Sequence, residues 1–335
     1  MNILITSIDG ALCRLLTKFL KNDKQLKISN IIGIDRKKKI SKNRYLNKFY
    51  QINSKDSKIF LSKLKKICLK EKIKLIIPYS DNEAKILSKN KKNFSKKGIK
   101  ILVNDYNVLK KINNKYLTYK KLKNAKIRVP RFKLIKNISE LKKNLKFFNY
   151  PSNGIVIKPN KSIGGRGVIL IPKFKEKNIP NKLGKRERII KDFTIKKISK
   201  KIFQYGDLLM MDMLKPPAYD VDCFKIKKNE QVVIRERINP SGIPYKGNFI
   251  IKNSSISHYC KNIIKKLKIN SLVDMDLFTD SKNKPVLLEI NPRPSGSLVT
   301  TYMAGIPILS LEIARVLNLK YKCNFNIGLR KKIKL

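Results

Sequence analysis

Two runs near the C-terminal end decide how the chain reads. The first is Val273-Asp274-Met275-Asp276-Leu277-Phe278. The second is Pro285-Val286-Leu287-Leu288-Glu289-Ile290-Asn291-Pro292-Arg293-Pro294-Ser295-Gly296-Ser297, and a polar turn from Asp280 to Lys284 joins them. The pattern predicts a strand, a turn and a second strand. Asp276 lies on the first strand. Glu289 and Asn291 lie two apart on the second, so the strand period puts both on one face. Oxygen side chains converging across a hairpin suit Mg²⁺, which prefers oxygen ligands and shares its sphere with substrate phosphates. Arg293, two residues further, points the same way and is suited to phosphate oxygens. Asp274 shares the face of Asp276 and is a second candidate ligand. The competing reading is a hairpin whose acids merely face solvent. Against it stands Glu289, which follows an apolar run in a chain with only 23 acidic residues.

At 335 residues the chain is long enough for two or three domains, each with its own core. Its formal charge of +55 is extreme. Such a charge points to a polyanionic partner or to compositional bias. Lys outnumbers Arg 65 to 13, and the basic residues run through every block with no single tract, which favours bias. The five cysteines, Cys13, Cys68, Cys223, Cys260 and Cys323, form no CxxC pair and are odd in number. This predicts a reduced, cytoplasmic protein with neither a disulfide framework nor a structural zinc site. The single histidine, His258, rules out a multi-histidine metal cluster and reads as a surface or packing residue on a helix. Met1 to Ile5 reads as a buried strand rather than a leader, and no apolar run reaches the 18 residues of a membrane span.

Taken in order, Ile3 to Thr6 is a strand, a helix follows to about Asn22, and Ile31 to Asp35 is a second strand. This opening is Rossmann-like. Its turn, Thr6-Ser7-Ile8-Asp9-Gly10, has one glycine rather than three, and Asp9 repels a pyrophosphate, so NAD is not expected there. Leu75 to Pro78 is a strand whose C-terminal end carries Asp81 and Glu83. These residues face substrate or another domain, or serve the next helix N-terminus with Ser80 as cap. A helix opens at Asn114-Lys115, and Pro130 marks an extended entry into a new region. The strand Ile155 to Pro159 leads through Lys158 into Ser162-Ile163-Gly164-Gly165-Arg166-Gly167 and then the strand Val168 to Ile171. A glycine-rich loop of this kind folds over phosphates or is an ordinary turn; it is no Walker loop, since a strand follows it. Residues 173 to 201 carry 12 basic and 3 acidic residues without a visible core face, and predict a solvated stretch. Leu208 to Leu214 is apolar. Tyr219 to Phe224 and Gln231 to Arg237 predict paired strands with Arg235 and Arg237 on one face, and Ile308 to Leu317 a closing helix.

In this order, a domain-entry lysine, a lysine before a glycine-rich hairpin, an apolar hinge strand and an Asp…Glu-x-Asn-x-Arg hairpin resemble the ATP-grasp superfamily, in its carbamoyl-phosphate-synthase-like and biotin-carboxylase-like branch. The resemblance implies an α/β and α+β fold: a Rossmann-like pre-ATP-grasp domain over residues 1–110, then a two-subdomain ATP-grasp domain over 111–320. The lid would span about 127–207, the catalytic subdomain about 208–320, and residues 321–335 would form a basic tail. By the same resemblance, Lys115 and Lys158 contact ATP phosphates, with Asn114 where the family usually has Asp. Ser162, Gly164, Gly165 and Gly167 belong to the loop over the triphosphate. Met211, Asp212, Met213 and Leu214 form the hinge that reads adenine. Asp276, Glu289 and Asn291 hold Mg²⁺ or Mn²⁺, and Arg293 lies by the transferred phosphate. Arg235 matches a position that often holds an anionic acceptor, so Arg293, Lys158 and Arg235 are the implied catalytic set. The implied function is an ATP-dependent, carbon–nitrogen bond-forming ligase acting on a small-molecule carboxylate and amine, with room for a homodimer and no membrane partner. Two rivals are a basic nucleic-acid-binding protein on a degenerate ATP-grasp scaffold, and an ATP-binding regulator without turnover. No aromatic stacking platform accompanies the basic residues, which argues against the first.

Overall fold

The structure is a computed structural model, and it describes residues 1–161, 167–175, 187–191, 193–195, 200–226, 229–239, 247–323 and 330–334. Three sheets follow one another along the chain. The first contains β1 (Asn2–Thr6), β2 (Asn30–Asp35), β3 (Lys48–Gln51), β4 (Ile73–Ile77) and β5 (Lys100–Ile101) in the order β3-β2-β1-β4-β5. Each neighbouring pair of its strands is parallel. Its central strands are apolar on both faces because helices cover both. Among these helices are α1 (Cys13–Asn22), α2 (Ser57–Lys70), α3 (Asp81–Lys89) and α4 (Lys91–Ser95). Cys13, Leu16 and Leu20 of α1 pack with Ile3, Ile5, Ile31 and Leu75. Phe60 and Leu64 of α2, with Leu87 and Phe94, cover Leu4, Ile32 and Ile76 on the other side. The chain order reverses between β1 and β4, which opens a crevice at the C-terminal ends of these two strands.

α5 (Tyr106–Ile112) and α6 (Lys115–Asn124) lead to the second sheet. Its strands are β6 (Phe132–Ile135), β7 (Ile155–Pro159), β8 (Val168–Ile171), β9 (Glu187–Ile189) and β10 (Leu208–Asp212), in the order β6-β10-β7-β8-β9, with α7 (Ile138–Leu145) between β6 and β7. One face, with Ile155, Ile157, Leu208 and Met210, packs on Leu141 of α7 and on Phe148. The stretch expected to be solvated departs from that expectation where it is described: Glu187–Ile189 pairs with β8, and Ile190 and Phe193 are buried in the same core, while residues 176–186, 192 and 196–199 lie outside the described residues. The apolar side chains there are too widely spaced among lysines for a short-period pattern to reveal. Residues 208–212 were expected to open the catalytic subdomain; they form a strand between β6 and β7 of this sheet.

The third sheet is antiparallel and holds β11 (Lys215–Ile226), β12 (Asn229–Arg237), β13 (Asn248–Ile251), β14 (Val273–Thr279), β15 (Pro285–Asn291) and β16 (Arg330–Ile333). Its order is β15-β14-β11-β12-β13-β16. Part of the expected C-terminal tail is thus an edge strand, paired with β13. One face carries Val221, Cys223, Ile234, Val273, Met275 and Ile290 against α8 (Ser254–Leu267). His258 lies on the exposed side of α8, within 2.9 Å of Asn262. The opposite face is apolar at one end, where Phe224, Val233 and Leu272 join Leu309 and Ile313 of α10 (Ile308–Leu317), reached through α9 (Val299–Met303). That core also contains Ile3, Ile5 and Ile77, so the first and third sheets are cemented through α9 and α10. The other end of the face is charged. No helix among the described residues is long and apolar enough to cross a membrane.

Gly247 leads into β13 with φ +99°, and a Cβ there would lie 2.1 Å from the carbonyl oxygen of Ile333. Gly247→Ala therefore has to force β16 away or shift the backbone, and it is expected to cost about 2 kcal/mol in urea unfolding. Wild-type stability in this variant would mean that β16 is not held at that edge.

Candidate functional site

Strand alternation builds the charged face. Asp276 pairs with Glu289 and Asp274 with Asn291 across β14 and β15, after a register shift that skips Leu288, and this puts the expected ligands on one face. Asp220 and Asp222 of β11 pair with Asp276 and Asp274, and Arg235 of β12 pairs with Asp220. Directly paired residues share a face. Aspartates, Glu289, Asn291, Arg235 and Arg237 therefore form one continuous field across four strands.

Three cations reach this field from elsewhere. Lys115, on the first turn of α6, lies 3.2 Å from Glu289. Asn114 caps that helix by accepting from Leu117 N–H at 3.0 Å, and Asn160 accepts from the N–H groups of Lys115 and Tyr116 at 3.2 and 2.9 Å. Lys158 sits on the face of β7 that looks toward the third sheet, and its ammonium donates to the carbonyl of Leu288 at 3.1 Å, over the ring of Tyr119. The Tyr119 hydroxyl donates to the same carbonyl at 2.6 Å. Arg293, in the segment after β15, forms an ion pair with Asp81 at 3.0 Å. Tyr79 adds a second link there, donating to the carbonyl of Ser295 at 2.8 Å. Asp81 therefore faces another part of the chain, while Ser80 caps α3; of the two functions open for this segment, both are present. Glu83 accepts from Thr6, Ser7 and Ser80, so the hydroxyls of the Rossmann-like turn are committed to a carboxylate.

The charges do not balance locally. Asp220, Asp274 and Asp276 each place a carboxylate oxygen within 4.8 Å of the others. Burial and Asp220 push Asp274 up to about 7 despite Arg235. Burial, then Asp274, Asp220 and Glu289, hold Asp276 well above the usual carboxylate range against the pull of Arg237. Glu289 behaves oppositely: burial raises it, but Lys115 and Lys158 outweigh burial and hold it low. Lys158 is depressed to about 7 by burial and by Lys115, only partly offset by Glu289 and Asp276. An all-oxygen set with mutually repelling carboxylates suits a divalent cation, so this chain's residues fit Mg²⁺ or Mn²⁺.

The structure distributes the expected residues unevenly. Asp276, Glu289, Asn291, Lys115 and Lys158 converge on the hairpin, and Arg293 adjoins it. Asn291 donates to Asp274 at 3.3 Å, which ties the second candidate ligand to the first set. Arg235 is not offered to solvent: its guanidinium is fully buried, donates to Asp222 at 2.7 and 3.1 Å and to Asp274 at 3.4 Å, and also reaches Ser297. In the hinge, the N–H groups of Asp212 and Met213 donate to Arg131 and Gly154 carbonyls at 3.2 and 3.1 Å. The Asp212 carboxylate is held by Arg131 at 2.9 Å. Ser162, Gly164 and Gly165 lie outside the described residues; Gly167 is described, with φ +75°. Sequence reasoning missed Asp220, Asp222, Arg237 and Arg131 as site residues. The first three were legible as a D-x-D facing an R-x-R across paired strands.

Lys158 supplies a pH test. Its folded value, about 7, lies below its ordinary 10.5. The folded state therefore binds fewer protons than the unfolded one in between, and the cost of the charged buried lysine is full below pH 7 and fades toward 10.5. Against Lys158→Met, wild-type stability without ligand is expected to gain across that window, as read by urea unfolding at each pH. A difference independent of pH would show that Lys158 is not buried as described.

Comparisons with known proteins agree with this geometry. Residues 204–331 match the family model described as ATP-grasp in the biosynthetic pathway with Ter operon. Residues 3–102 match the PylC-like N-terminal domain. No curated protein matches the sequence significantly. Among solved structures, the L-amino acid ligase from Bacillus licheniformis superposes with TM-score 0.68 at 13% identity, covering 95% of this chain and 74% of that one. N5-carboxyaminoimidazole synthetase from Staphylococcus aureus, complexed with ADP, gives 0.68 at 16%, covering 96% and 78%. The biotin carboxylase domain dimer of the Hydrogenobacter thermophilus 2-oxoglutarate carboxylase, with MgADP, ADP and bicarbonate, gives 0.68 at 16%, covering 96% and 70%. At such identities the structural likeness is one of fold: the chain shares the fold of these proteins, with a region matching an ATP-grasp family model preceded by one matching a PylC-like N-terminal domain.

Proposed function

We propose that this protein is a Mg²⁺-ATP-dependent ligase that activates a small carboxylate as an acylphosphate and passes the acyl group to an amine or related nucleophile. The carrying observation is that Lys115 pairs with Glu289, Lys158 donates to the neighbouring Leu288 carbonyl, and Arg293, paired with Asp81, adds its charge beside Asp274 and Asp276. A carboxylate oxygen forms a bond to the γ-phosphorus as the bond to ADP breaks; the amine then bonds to the acyl carbon as phosphate leaves. Neither step needs a covalent enzyme nucleophile. Lys115 and Lys158 are placed to neutralise ATP phosphate oxygens, and Arg293 the transferred group. Asp276, Glu289 and Asn291 would hold Mg²⁺ or Mn²⁺, with Asp274 and Asp220 in the same patch; the ion would neutralise phosphate charge when bound. Met211 to Leu214, at the C-terminal end of β10, would carry adenine.

The accompanying proposals are a pre-ATP-grasp domain over 1–110, an ATP-grasp domain from 111 that takes in the edge strand Arg330–Ile333, and a cytoplasmic location suited to cysteines buried in reduced form, such as Cys13 and Cys68. A homodimer is proposed by analogy with the dimeric biotin carboxylase neighbour. The nucleic-acid reading draws no support from the comparisons.

The double variant Asp276→Ala with Glu289→Ala is expected to lose at least about 100-fold in Mg²⁺-dependent ADP release, assayed against pools of amino acids, sugar acids and amines. Undiminished acceptor-dependent turnover in that variant would sink the site assignment.

A further inference from the structure

Arg235 and Arg237 leave β12 on the same face, yet the sheet treats them differently. Arg235 is sealed: its side chain has 0% exposure, and its donors go to Asp222, Asp274 and Ser297. Arg237 bridges two acids of unequal burial. On one side it donates through Nε to Asp220 at 2.9 Å and through Nη2 to the same oxygen. On the other, Nη2 reaches Asp276 at 3.1 Å. The side chain of Asp220 is 1% exposed and that of Asp276 is 14%. Among the described residues the second, buried oxygen of Asp220 accepts no hydrogen bond, and Arg235 lies 3.6 Å from it. Glu187 on β9 also feels the Arg237 charge, so this guanidinium stands where the second sheet meets the third.

We propose that Arg237 is the site's resident counter-cation: it holds Asp276 in the unloaded protein, competes with a divalent cation for that carboxylate, and on cation binding stays tethered to Asp220 with its released donor free for an anionic oxygen of substrate. The inference rests on the ligase reading in taking Asp276 as a cation ligand. A guanidinium and a divalent cation repel each other at one carboxylate, so binding of one has to weaken the other reciprocally. The tether explains why the displaced arginine stays at the site: the bonds to Asp220 are buried and charge-assisted, whereas the bond to Asp276 is single and half-open. Arg237, rather than the sealed Arg235, is then the arginine on β12 available to an acceptor or transferring phosphate.

The test is Mn²⁺ binding to the full chain without nucleotide, followed by calorimetry or by electron paramagnetic resonance of the free ion. R237M is expected to bind Mn²⁺ about tenfold more tightly than wild type, because its competitor is gone. Equal or weaker binding by folded R237M overturns the proposal. Where R237M does not fold, the wild-type protein decides: Mg²⁺ titration is expected to shift the Arg237 Nε–H resonance, identified by its loss in R237K, and an unmoved resonance at saturating Mg²⁺ overturns the proposal. Binding of Mg-ADP to the wild type, measured in parallel, separates the two readings. Its absence alongside intact Mn²⁺ competition removes the ligase reading and leaves the role of Arg237 standing.

Discussion

Buried charge on the third sheet is the constraint on which the rest of the site depends. Asp220, Asp222, Asp274, Asp276 and Glu289 occupy one face of three antiparallel strands, and Asp220 and Asp222 are almost wholly removed from water. A carboxylate in such surroundings is tolerated only with a counter-charge and hydrogen bonds. The sheet supplies Arg235 and Arg237 from its own next strand. The remainder comes from outside: Lys115 from α6, Lys158 from the second sheet and Arg293 from the segment leading to α9. The same pairs that neutralise the face hold the three sheets against one another, so positioning and electrostatics are one arrangement.

Charge is unevenly shared within that arrangement. Asp274 and Asp276 are pushed toward protonation while Lys158 is pushed toward losing its proton. Excess negative and excess positive character lie side by side. A polyphosphate carrying a divalent cation is complementary to both, with phosphate oxygens toward Lys115 and Lys158 and the cation toward the aspartates. Ground-state imbalance of this kind is a familiar property of sites built to take charged ligands.

Much of this was legible before any coordinates. The hairpin strands Val273–Thr279 and Pro285–Asn291 and the strands Ile155–Pro159 and Val168–Ile171 fall where the apolar runs put them, whereas the pairing of Asp276 with Glu289 needs a register shift that skips Leu288, which period-two alternation does not reveal. The helix Ile308–Leu317 likewise matches its pattern. Other features were present in the sequence as pairs of short motifs with no visible partner. Asp220-x-Asp222 and Arg235-x-Arg237 become an ion-pair lattice only once β11 and β12 take their register. Asp81 and Arg293 are far apart along the chain and meet at 3.0 Å because α9 and α10 dock the third sheet on the first. The core around Ile190 and Phe193, and the edge strand Arg330–Ile333, were hidden because lysine-rich segments show no periodicity when only every few residues are buried.

The sequence by itself determined most element types, the oxygen-rich hairpin, the lysines before the site and a histidine count of one. Those are properties of local pattern and composition, and they do not depend on which distant segment lies opposite. Only the tertiary structure decided which charges neutralise which. It sealed Arg235 behind Asp222 and left Arg237 between a buried Asp220 and a half-open Asp276. Two arginines two residues apart on one strand are equivalent by spacing. Burial separates them, and burial is set by what the neighbouring strands and sheets lay over each one.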